Sequence, residues 1–296
     1  MTADPDEIPV SDAFVARLIA AQAPQWAQLP LRRIASSGTD NAMFRLGDTL
    51  SVRIPRRVPA VALLSKELDW LPHLQELPLE VPNLRFRGRA RQGVTFEFGV
   101  LDWMEGQIAK PDYLANWQDA ARALADFLKA LHLKSTSGAP RAGASNSRRG
   151  VPLSDLSEAA LRAIEIVADE IDVRRARQLW DTACAAGFAR QPVWLHGDLK
   201  ADNLIVRDGR LRGVIDWGLS AVGDPAADYA TAWFWIDPPA RTAFRDHLEL
   251  DDNDWLRAKG WALYGAVIAL SYYRGVRNDA LCAQSRQTLF RLGLLL

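Results

Sequence analysis

Two short runs of the sequence, 193–203 and 213–218, place polar side chains at the ends of apolar, strand-like segments. The first reads Val-Trp-Leu-His-Gly-Asp-Leu-Lys-Ala-Asp-Asn, and the second reads Gly-Val-Ile-Asp-Trp-Gly. They bring Asp198, Asn203 and Asp216 within nineteen positions of one another. A carboxylate can take the proton of an attacking hydroxyl, and carboxylate and amide oxygens bind Mg²⁺ on a nucleotide triphosphate. The two runs therefore predict a fold that supports phosphoryl transfer to an alcohol.

A hairpin between the two runs predicts how the metal ligands meet. Asp208 and Gly209 form a strong two-residue turn signature between apolar segments. With those residues as the loop and a regular register, Asn203 pairs with Val214. Side chains alternate between the faces of a strand, so Asp216 shares a face with Asn203, with Cβ atoms roughly 7–8 Å apart. Two oxygen-bearing side chains across that gap can hold one Mg²⁺.

The position of Asp198 predicts a catalytic base. It lies five residues before Asn203, in a loop opened by Gly197, where it can accept a proton from an incoming hydroxyl. Asp, Asn and His residues such as His196 also stabilise ordinary turns. That alternative suits each residue alone, but the combination with Asp216 at this spacing favours catalysis.

These motifs resemble those of a known family. His-Gly-Asp-x-x-x-x-Asn, then Ile-Asp-x-Gly, then Gly-Asp-Pro at 223–225 and Asp-Tyr-Ala at 228–230 are similar to the aminoglycoside/macrolide phosphotransferase family, small-molecule kinases with a protein-kinase-like fold. The resemblance extends from about residue 34 to residue 273. Its motifs are highly specific in the C-terminal part and looser in the N-terminal part.

The resemblance implies roles for individual residues. Asp198 corresponds to the catalytic base of the family, and Asn203 and Asp216 correspond to its magnesium ligands. Asp224 and Asp228 resemble structural carboxylates that hold loops and helix starts below the site. His196 matches the motif histidine and is expected to be structural.

The element pattern predicts an α+β fold of two lobes. Residues 31–98 are mostly extended and contain one helical pattern from Val61 to Leu71, followed by Pro72. Long helical patterns follow Gly106, interrupted by an exposed loop rich in Ser, Gly, Pro and Arg at 135–151. The prediction is a bilobal, protein-kinase-like fold: a small N-terminal lobe with an antiparallel sheet and one key helix (1–101), a hinge (102–106), and a larger, mainly helical C-terminal lobe with the catalytic loop and the substrate site (107–296).

The N-terminal lobe departs from the usual kinase pattern. Kinase-like folds place a Lys on the third strand, paired with a Glu on the next helix, whereas here Arg53 occupies that position and Glu67 is its natural partner. A guanidinium can grip phosphate oxygens or a carboxylate with two donors. The alternatives are that Arg53 faces solvent and that Glu67 pairs locally with Lys66.

Further nucleotide contacts are predicted in a loop and at the hinge. The loop 35–41 contains one glycine, and its backbone N–H groups with the hydroxyls of Ser36, Ser37 and Thr39 can meet phosphate oxygens. An ordinary hairpin loop is the alternative. The resemblance implies that the adenine lies at the hinge, against Leu101, Asp102 and Trp103, although Trp103 also suits a core position.

Composition narrows the partners and the compartment. The chain has 36 basic and 36 acidic residues and no net charge, which argues against nucleic acid as a partner. The apolar run 261–270 has ten residues and is too short for a membrane span, which needs about 20. The N-terminus lacks the pattern of a secretory leader, so a cytoplasmic enzyme is expected. The four histidines are scattered, which argues against a metal-dependent hydrolase.

The predicted activity is transfer of the γ-phosphate of ATP or GTP, with Mg²⁺, to a hydroxyl of a small molecule, by a monomer or homodimer. Residues 223–254 hold eight acids against two arginines, which would suit a polycationic aminoglycoside. The aromatic run 233–235 would suit a macrocycle. The ordinary alternatives are that Asp251, Asp252 and Asp254 cap and flank the helix near Trp255 and that the aromatic residues are core. A metabolic alcohol kinase (sugar, choline-like or amino alcohol) and a non-catalytic nucleotide-binding pseudokinase remain open.

Overall fold

A computed structural model describes residues 6–34, 40–276 and 278–296. The N-terminal part contains five strands: β1 (Leu31–Ile34), β2 (Asn41–Leu46), β3 (Leu50–Pro55), β4 (Leu84–Gln92) and β5 (Val94–Asp102). They form an antiparallel sheet in the order β1-β2-β3-β5-β4. Two helices accompany the sheet, α1 (Asp12–Gln22) and α2 (Val58–Trp70).

Local sequence features explain several turns and helix ends in this part. Gly47 has φ 61°, a conformation that glycine adopts without strain, and Leu46 pairs with Leu50 across the turn. The N-terminus of α1 is capped by Ser11, whose hydroxyl accepts the N–H of Phe14 at 3.2 Å. Helix α2 ends at Trp70, before the predicted proline stop.

The C-terminal part is mainly helical. Its helices are α3 (Trp117–His132), α4 (Ser157–Ile166), α5 (Val173–Ala185), α6 (Ala226–Tyr229), α7 (Thr231–Phe234), α8 (Arg241–His247), α9 (Asp252–Val276) and α10 (Asp279–Arg291). Its strands are β6 (Gln107–Ile108), β7 (Val193–Leu195), β8 (Leu204–Arg207), β9 (Arg210–Val214) and β10 (Ala221–Gly223), in sheets ordered β6-β8-β9 and β10-β7. The predicted α+β class is confirmed. In the described part of the chain, no helix is both long and apolar enough to cross a membrane.

The apolar core consists of two clusters. The smaller one lies under the N-terminal sheet and includes Phe44, Val52 and Phe98, all fully buried. The larger one fills the helical part and also takes in Leu71 and Leu101. The segment after α2 and the end of β5 therefore contribute to the core of the helical part, which fixes the small sheet against it.

The predicted register of the β8–β9 hairpin is wrong. Leu204, not Asn203, pairs with Val214. The pairing shifts because a bulge leaves Arg212 as an extra residue of β9. Asn203 instead uses its carbonyl to accept the N–H of Ile215 at 2.9 Å. The bulge thus moves the open end of the hairpin by one residue.

The prediction that 135–151 is simply an exposed loop is also wrong in part. Asn146 is fully buried and Val151 is 9% exposed. The amide of Asn146 donates to the carbonyls of Arg149 (2.8 Å) and Leu219 (3.3 Å). The segment therefore packs against the loop that follows β9.

Candidate active site

One glycine and one buried carboxylate determine the conformation of the loop after β7. Gly197 has φ 86°, and a Cβ there would lie 2.5 Å from the carbonyl oxygen of Leu219. The carboxylate of Asp228 accepts the N–H groups of His196 (2.6 Å) and Gly197 (2.8 Å). Burial raises the pKa of Asp228 to about 7, although the two N–H donors oppose that shift. Asp228 therefore holds the loop rather than a metal or a substrate.

His196 is a structural residue, as expected from the motif. The imidazole is fully buried, with Nε2 3.0 Å from the carbonyl oxygen of Ile215. Its Nδ1 accepts the N–H of Asp198 at 3.2 Å. Burial lowers the pKa of His196, so the neutral ring links the catalytic loop to the hairpin.

Asp198 lies at the mouth of this loop with its side chain 23% exposed. Its Oδ2 is 2.9 Å from Nζ of Lys200 and accepts the amide of Asn203 at 2.9 Å. Burial alone would raise the pKa of Asp198, but Lys200 and then Arg149 lower it below its usual value. The carboxylate is therefore ionised and ready to accept a proton. Lys200 and Arg149 were not singled out from the sequence, although Lys200 lies within the motif itself.

Asn203 and Asp216 provide a donor set that fits Mg²⁺. The amide nitrogen of Asn203 donates to the carbonyl (2.8 Å) and carboxylate (2.9 Å) of Asp198, which leaves its oxygen for another partner. Asp216 has φ 69°, and its side chain is 44% exposed. Mg²⁺ prefers oxygen ligands and is commonly bound by one or two carboxylates together with substrate phosphates and water.

Arg53 joins the two lobes of the site. The guanidinium is 8% exposed, with Nη1 2.8 Å from Glu67 and Nη2 bonded to Asp216. The side-chain oxygen of Asn41, turned toward Arg53, accepts from Nε and Nη2 at 3.1 Å. The Arg53–Glu67 pair is therefore present as predicted, and the solvent-facing alternative for Arg53 is wrong.

Glu67 connects this pair to the loop after β9. Its Oε1 also accepts the N–H of Trp217 at 3.0 Å. Burial raises the pKa of Glu67, and Arg53 opposes that shift. Lys66, the alternative partner from the sequence, donates instead to the carbonyl of Ser145 at 2.8 Å.

Several groups around the predicted hinge are buried or already form contacts within the protein. Leu101 is 3% exposed. The N–H groups of Asp102 and Trp103 donate to the carbonyls of Asn83 (3.0 Å) and Thr49 (2.8 Å). The carboxylate of Asp102 accepts two hydrogen bonds from the guanidinium of Arg85. The guanidinium carbon of Arg45 lies 4.6 Å from the centroid of the Trp103 ring. The predicted phosphate-loop residues Ser36, Ser37 and Thr39 lie outside the described residues.

Met104 lies in the predicted hinge 102–106, but the sequence did not indicate it as a nucleotide contact. Within the described ranges, its backbone N–H donates to no backbone carbonyl, so it is free to donate to a ligand. Gly106 holds the hinge against the β8–β9 hairpin, because a Cβ there would lie 2.5 Å from the carbonyl oxygen of Val206. The free N–H thus lies beside the hairpin that positions Asn203.

Five of the eight acids expected as a wall beside the site form ion pairs and are not free charge. Arg257 is buried between Asp224 (2.8 Å) and Asp254 (2.7 Å). Arg190 pairs with Asp251 (2.7 Å), Arg245 with Asp252, and Lys129 with Glu249 (3.7 Å). Asp251 also accepts the N–H of Asp254 at 2.7 Å, at the start of α9. The alternative, that these acids flank a helix, is the correct one for this group.

The aromatic run is mainly core, as its ordinary alternative predicted. Trp233 and Trp235 are each 3% exposed. The indole of Trp235 donates to the carbonyl of Ala109 at 2.8 Å and packs against Trp117. Trp233 packs against Trp255, with ring centroids 4.6 Å apart.

Fold and site together define a kinase-like phosphotransferase. A sequence model described as the phosphotransferase enzyme family matches residues 31–261, which is most of the chain. The chain belongs to this family, as its motifs predicted. An aminoglycoside 3′-phosphotransferase from Escherichia coli is 27% identical over 203 residues, which cover 62% of this chain and 73% of that protein.

Solved structures show the same fold. The GDP and kanamycin complex of APH(2″)-IIIa matches with a TM-score of 0.73 and 19% identity, over 95% of this chain and 99% of that chain. A macrolide 2′-phosphotransferase type I matches with a TM-score of 0.64 and 21% identity, over 95% and 98%. The predicted fold of the kinase-like phosphotransferases is therefore confirmed.

Proposed function

We propose that this enzyme transfers the γ-phosphoryl group of ATP or GTP to a hydroxyl of a small molecule, with Asp198 as the catalytic base. The observation that carries the proposal is the environment of the Asp198 carboxylate. It is ionised beside Lys200, is fixed by Asn203, and keeps part of its surface exposed. A positioned base of this kind is what an attacking hydroxyl requires.

The chemical step follows from these positions. The substrate hydroxyl oxygen forms a bond to the γ-phosphorus, the bond from that phosphorus to the β–γ bridging oxygen breaks, and the hydroxyl proton passes to Asp198. Nucleoside diphosphate leaves. Lys200, 2.9 Å from Asp198, supplies positive charge beside the path of the transferred group. Asn203 and Asp216 would hold Mg²⁺, which when bound neutralises charge on the phosphates.

Nucleotide binding is proposed to use both parts of the chain. Arg53, held by Glu67, contacts the phosphates when Asp216 turns to the metal. The hydroxyls of Ser36, Ser37 and Thr39 are proposed as further phosphate donors. The free N–H of Met104 donates to the base, with the backbone of Leu101, Asp102 and Trp103 forming the edge of that pocket. This assignment corresponds to a nucleotide-binding lobe at 1–101, a hinge at 102–106 and a catalytic lobe at 107–296.

The acceptor is proposed to be an antibiotic of the aminoglycoside or macrolide class, because the names of the relatives include kanamycin and macrolides. The pairing of five of the eight acids after Gly223 weakens the charge argument for a polycation. A metabolic alcohol such as a sugar or amino alcohol therefore stands as the second candidate.

The test is nucleotide consumption over a panel of aminoglycosides, macrolides, sugars and amino alcohols, with wild type and Asp198→Asn. We expect turnover with one class, and loss of turnover with nearly unchanged nucleotide affinity in the variant. Asp202→Asn, a neighbouring carboxylate in the same loop, is the matched control and should retain activity. Turnover by Asp198→Asn would refute the base assignment, and nucleotide binding without turnover on any acceptor would favour a pseudokinase.

A further inference from the structure

A cavity lies among the C-terminal helices, and it is lined by residues other than those of the proposed phosphotransfer site. It has a volume of about 830 Å³, within the range of small-molecule sites, and is bounded by α5, α8, the start of α9 and the end of α10. Asp198, Asn203 and Asp216 do not line it. Its wall combines apolar side chains, including Trp233, Trp255, Leu179 and Leu256, with an excess of cations.

The charges in this wall are strongly one-sided. The lining contains a single acid, Asp246, against five cations: Arg175, Arg241, Arg245, Lys259 and Arg291. Arg245 is paired with Asp252. Among the described residues the other four have no carboxylate within ion-pair distance. This part of the surface therefore carries an excess of positive charge that Asp246 and the nearby Asp237 offset only in part.

Arg241 and Arg291 are the centre of this cluster. Each is anchored through a backbone carbonyl: Nε of Arg241 donates to Ala232 (2.7 Å), and Nη1 of Arg291 donates to Trp233 (3.0 Å). Nη2 of Arg241 and Nε of Arg291 are buried with no hydrogen-bond partner in the described structure. Burial and then the charge of Arg291 lower the pKa of Arg241 to about 10, and Asp237 offsets only part of this.

Two like charges that are anchored on the carbonyls of consecutive residues, partly buried and short of partners are unfavourable unless an anion joins them. Guanidinium groups bind phosphate and carboxylate oxygens with paired, charge-assisted hydrogen bonds. The adjacent apolar wall includes Trp255, Leu179 and Leu256, which are half-buried. An apolar or aromatic body beside the anionic group would cover that surface.

We propose that this cavity is a binding site for a small organic anion, with a phosphate or carboxylate between Arg241 and Arg291 and an apolar or aromatic body against Trp255 and Leu256. Lys259 and Arg175 supply further positive charge at its edge. The site is separate from the proposed phosphotransfer site and does not depend on that function.

The test uses 1-naphthyl phosphate and 1-naphthoate as probes, with the neutral 1-naphthol for comparison, in titrations on the full chain. We expect both anions to bind wild type and raise its Tm, and to bind more tightly than 1-naphthol. Arg241→Gln with Arg291→Gln should weaken anion binding about 10-fold or more, because it removes two charged donors. The matched control is a double variant of two exposed arginines outside the cavity, Arg122→Gln with Arg162→Gln, which should leave anion binding unchanged.

Two further variants separate the outcomes. Asp216→Asn perturbs the proposed phosphotransfer site and should not alter probe binding, so an equal loss in that variant would overturn the proposal by placing the probe there. Equal affinity for 1-naphthol and the anions, or full binding in the double variant, would also overturn it. If the double variant does not fold, Lys259→Gln is used instead, with weaker anion binding and unchanged 1-naphthol binding expected.

Discussion

Arg53 on β3 is hydrogen-bonded to Asp216, the carboxylate proposed as a magnesium ligand. The same guanidinium binds Glu67 of α2 at 2.8 Å. A single side chain therefore connects the N-terminal sheet, its helix and the loop after the catalytic hairpin. If Asp216 binds Mg²⁺ as proposed, the metal and Arg53 compete for the same carboxylate, and we expect nucleotide binding to depend on the position of Arg53.

The first prediction concerns Asp216. Asp216→Asn removes the charged metal ligand, so nucleotide affinity in the presence of Mg²⁺ should fall about 10-fold or more, and its dependence on Mg²⁺ should disappear. Calorimetric titrations with and without the metal measure both effects. Asp202→Asn is the control. Nucleotide binding that is equally strong without Mg²⁺ in wild type would contradict the assignment.

The second prediction concerns Glu67. Glu67→Gln leaves Arg53 buried with one charged partner fewer, and losing one partner of a buried pair costs about 3–5 kcal/mol in free energy of unfolding. Asp216 remains as a charged partner of Arg53, so we expect a loss of free energy of unfolding at the lower end of that range. Glu165→Gln breaks the exposed pair with Arg177 and should cost below about 1 kcal/mol. Equal losses in the two variants, measured by urea unfolding, would exclude a structural role for the Arg53–Glu67 pair.

Much of the fold was readable from local signals in the sequence. The turn at Gly47, the cap at Ser11, the amphipathic helix α3 and the turn at Asp208-Gly209 each act through a few neighbouring residues. The resemblance to kinase-like folds predicted the pairing of Arg53 on β3 with Glu67 on α2, whereas the hydrogen bond between Asn203 and Asp198 was not predicted.

The features that the sequence did not predict depend on contacts between residues far apart in the chain, which local patterns do not contain. The bulge at Arg212 arises where β9 also bonds to Glu80, so a regular register was the wrong assumption. Arg190 neutralises Asp251 from 61 residues away, which no count of acids could show. Arg149 influences Asp198 only because Asn146 folds its segment against the site.

The third prediction is a pH dependence of stability. Burial raises the pKa of Asp228 from 3.8 to about 7. The native state therefore holds a proton that the unfolded chain has already released, and the stability due to this group is present below about pH 4 and lost as pH rises to about 7. In Asp228→Asn, the dependence of unfolding free energy on pH in this window should be flatter than in wild type. An unchanged slope would contradict the raised pKa.

The fourth prediction concerns Lys200 and the ionisation of the base. Lys200 is the main partner that lowers the pKa of Asp198, so Lys200→Gln should raise that pKa. The acid limb of the kcat profile should move to higher pH, because the base is protonated more easily. Lys129→Gln, an exposed lysine on α3, should leave the limb in place. A lower kcat with an unmoved limb would show that Lys200 acts on the phosphates and not on the base.

The fifth prediction separates backbone strain from crowding in the catalytic loop. Gly197 (φ 86°) and Gly93 (φ 74°) both occupy the left-handed region, but they differ in their surroundings. A Cβ at Gly197 would lie 2.5 Å from the carbonyl oxygen of Leu219, whereas nothing lies within 4 Å of one at Gly93. Gly93→Ala should therefore cost about 1–2 kcal/mol from backbone strain alone and keep full activity.

Gly197→Ala should cost more than Gly93→Ala and should also remove activity, because relief of the clash moves Asp198 away from Asn203 and Lys200. Unfolding free energies and kcat for the two variants provide the comparison. Nucleotide affinity should change less than kcat, since Arg53 and the hinge lie outside this loop. Comparable losses of stability and full activity in both variants would show that the loop can absorb the added methyl group, and that Gly197 is there for its φ angle alone.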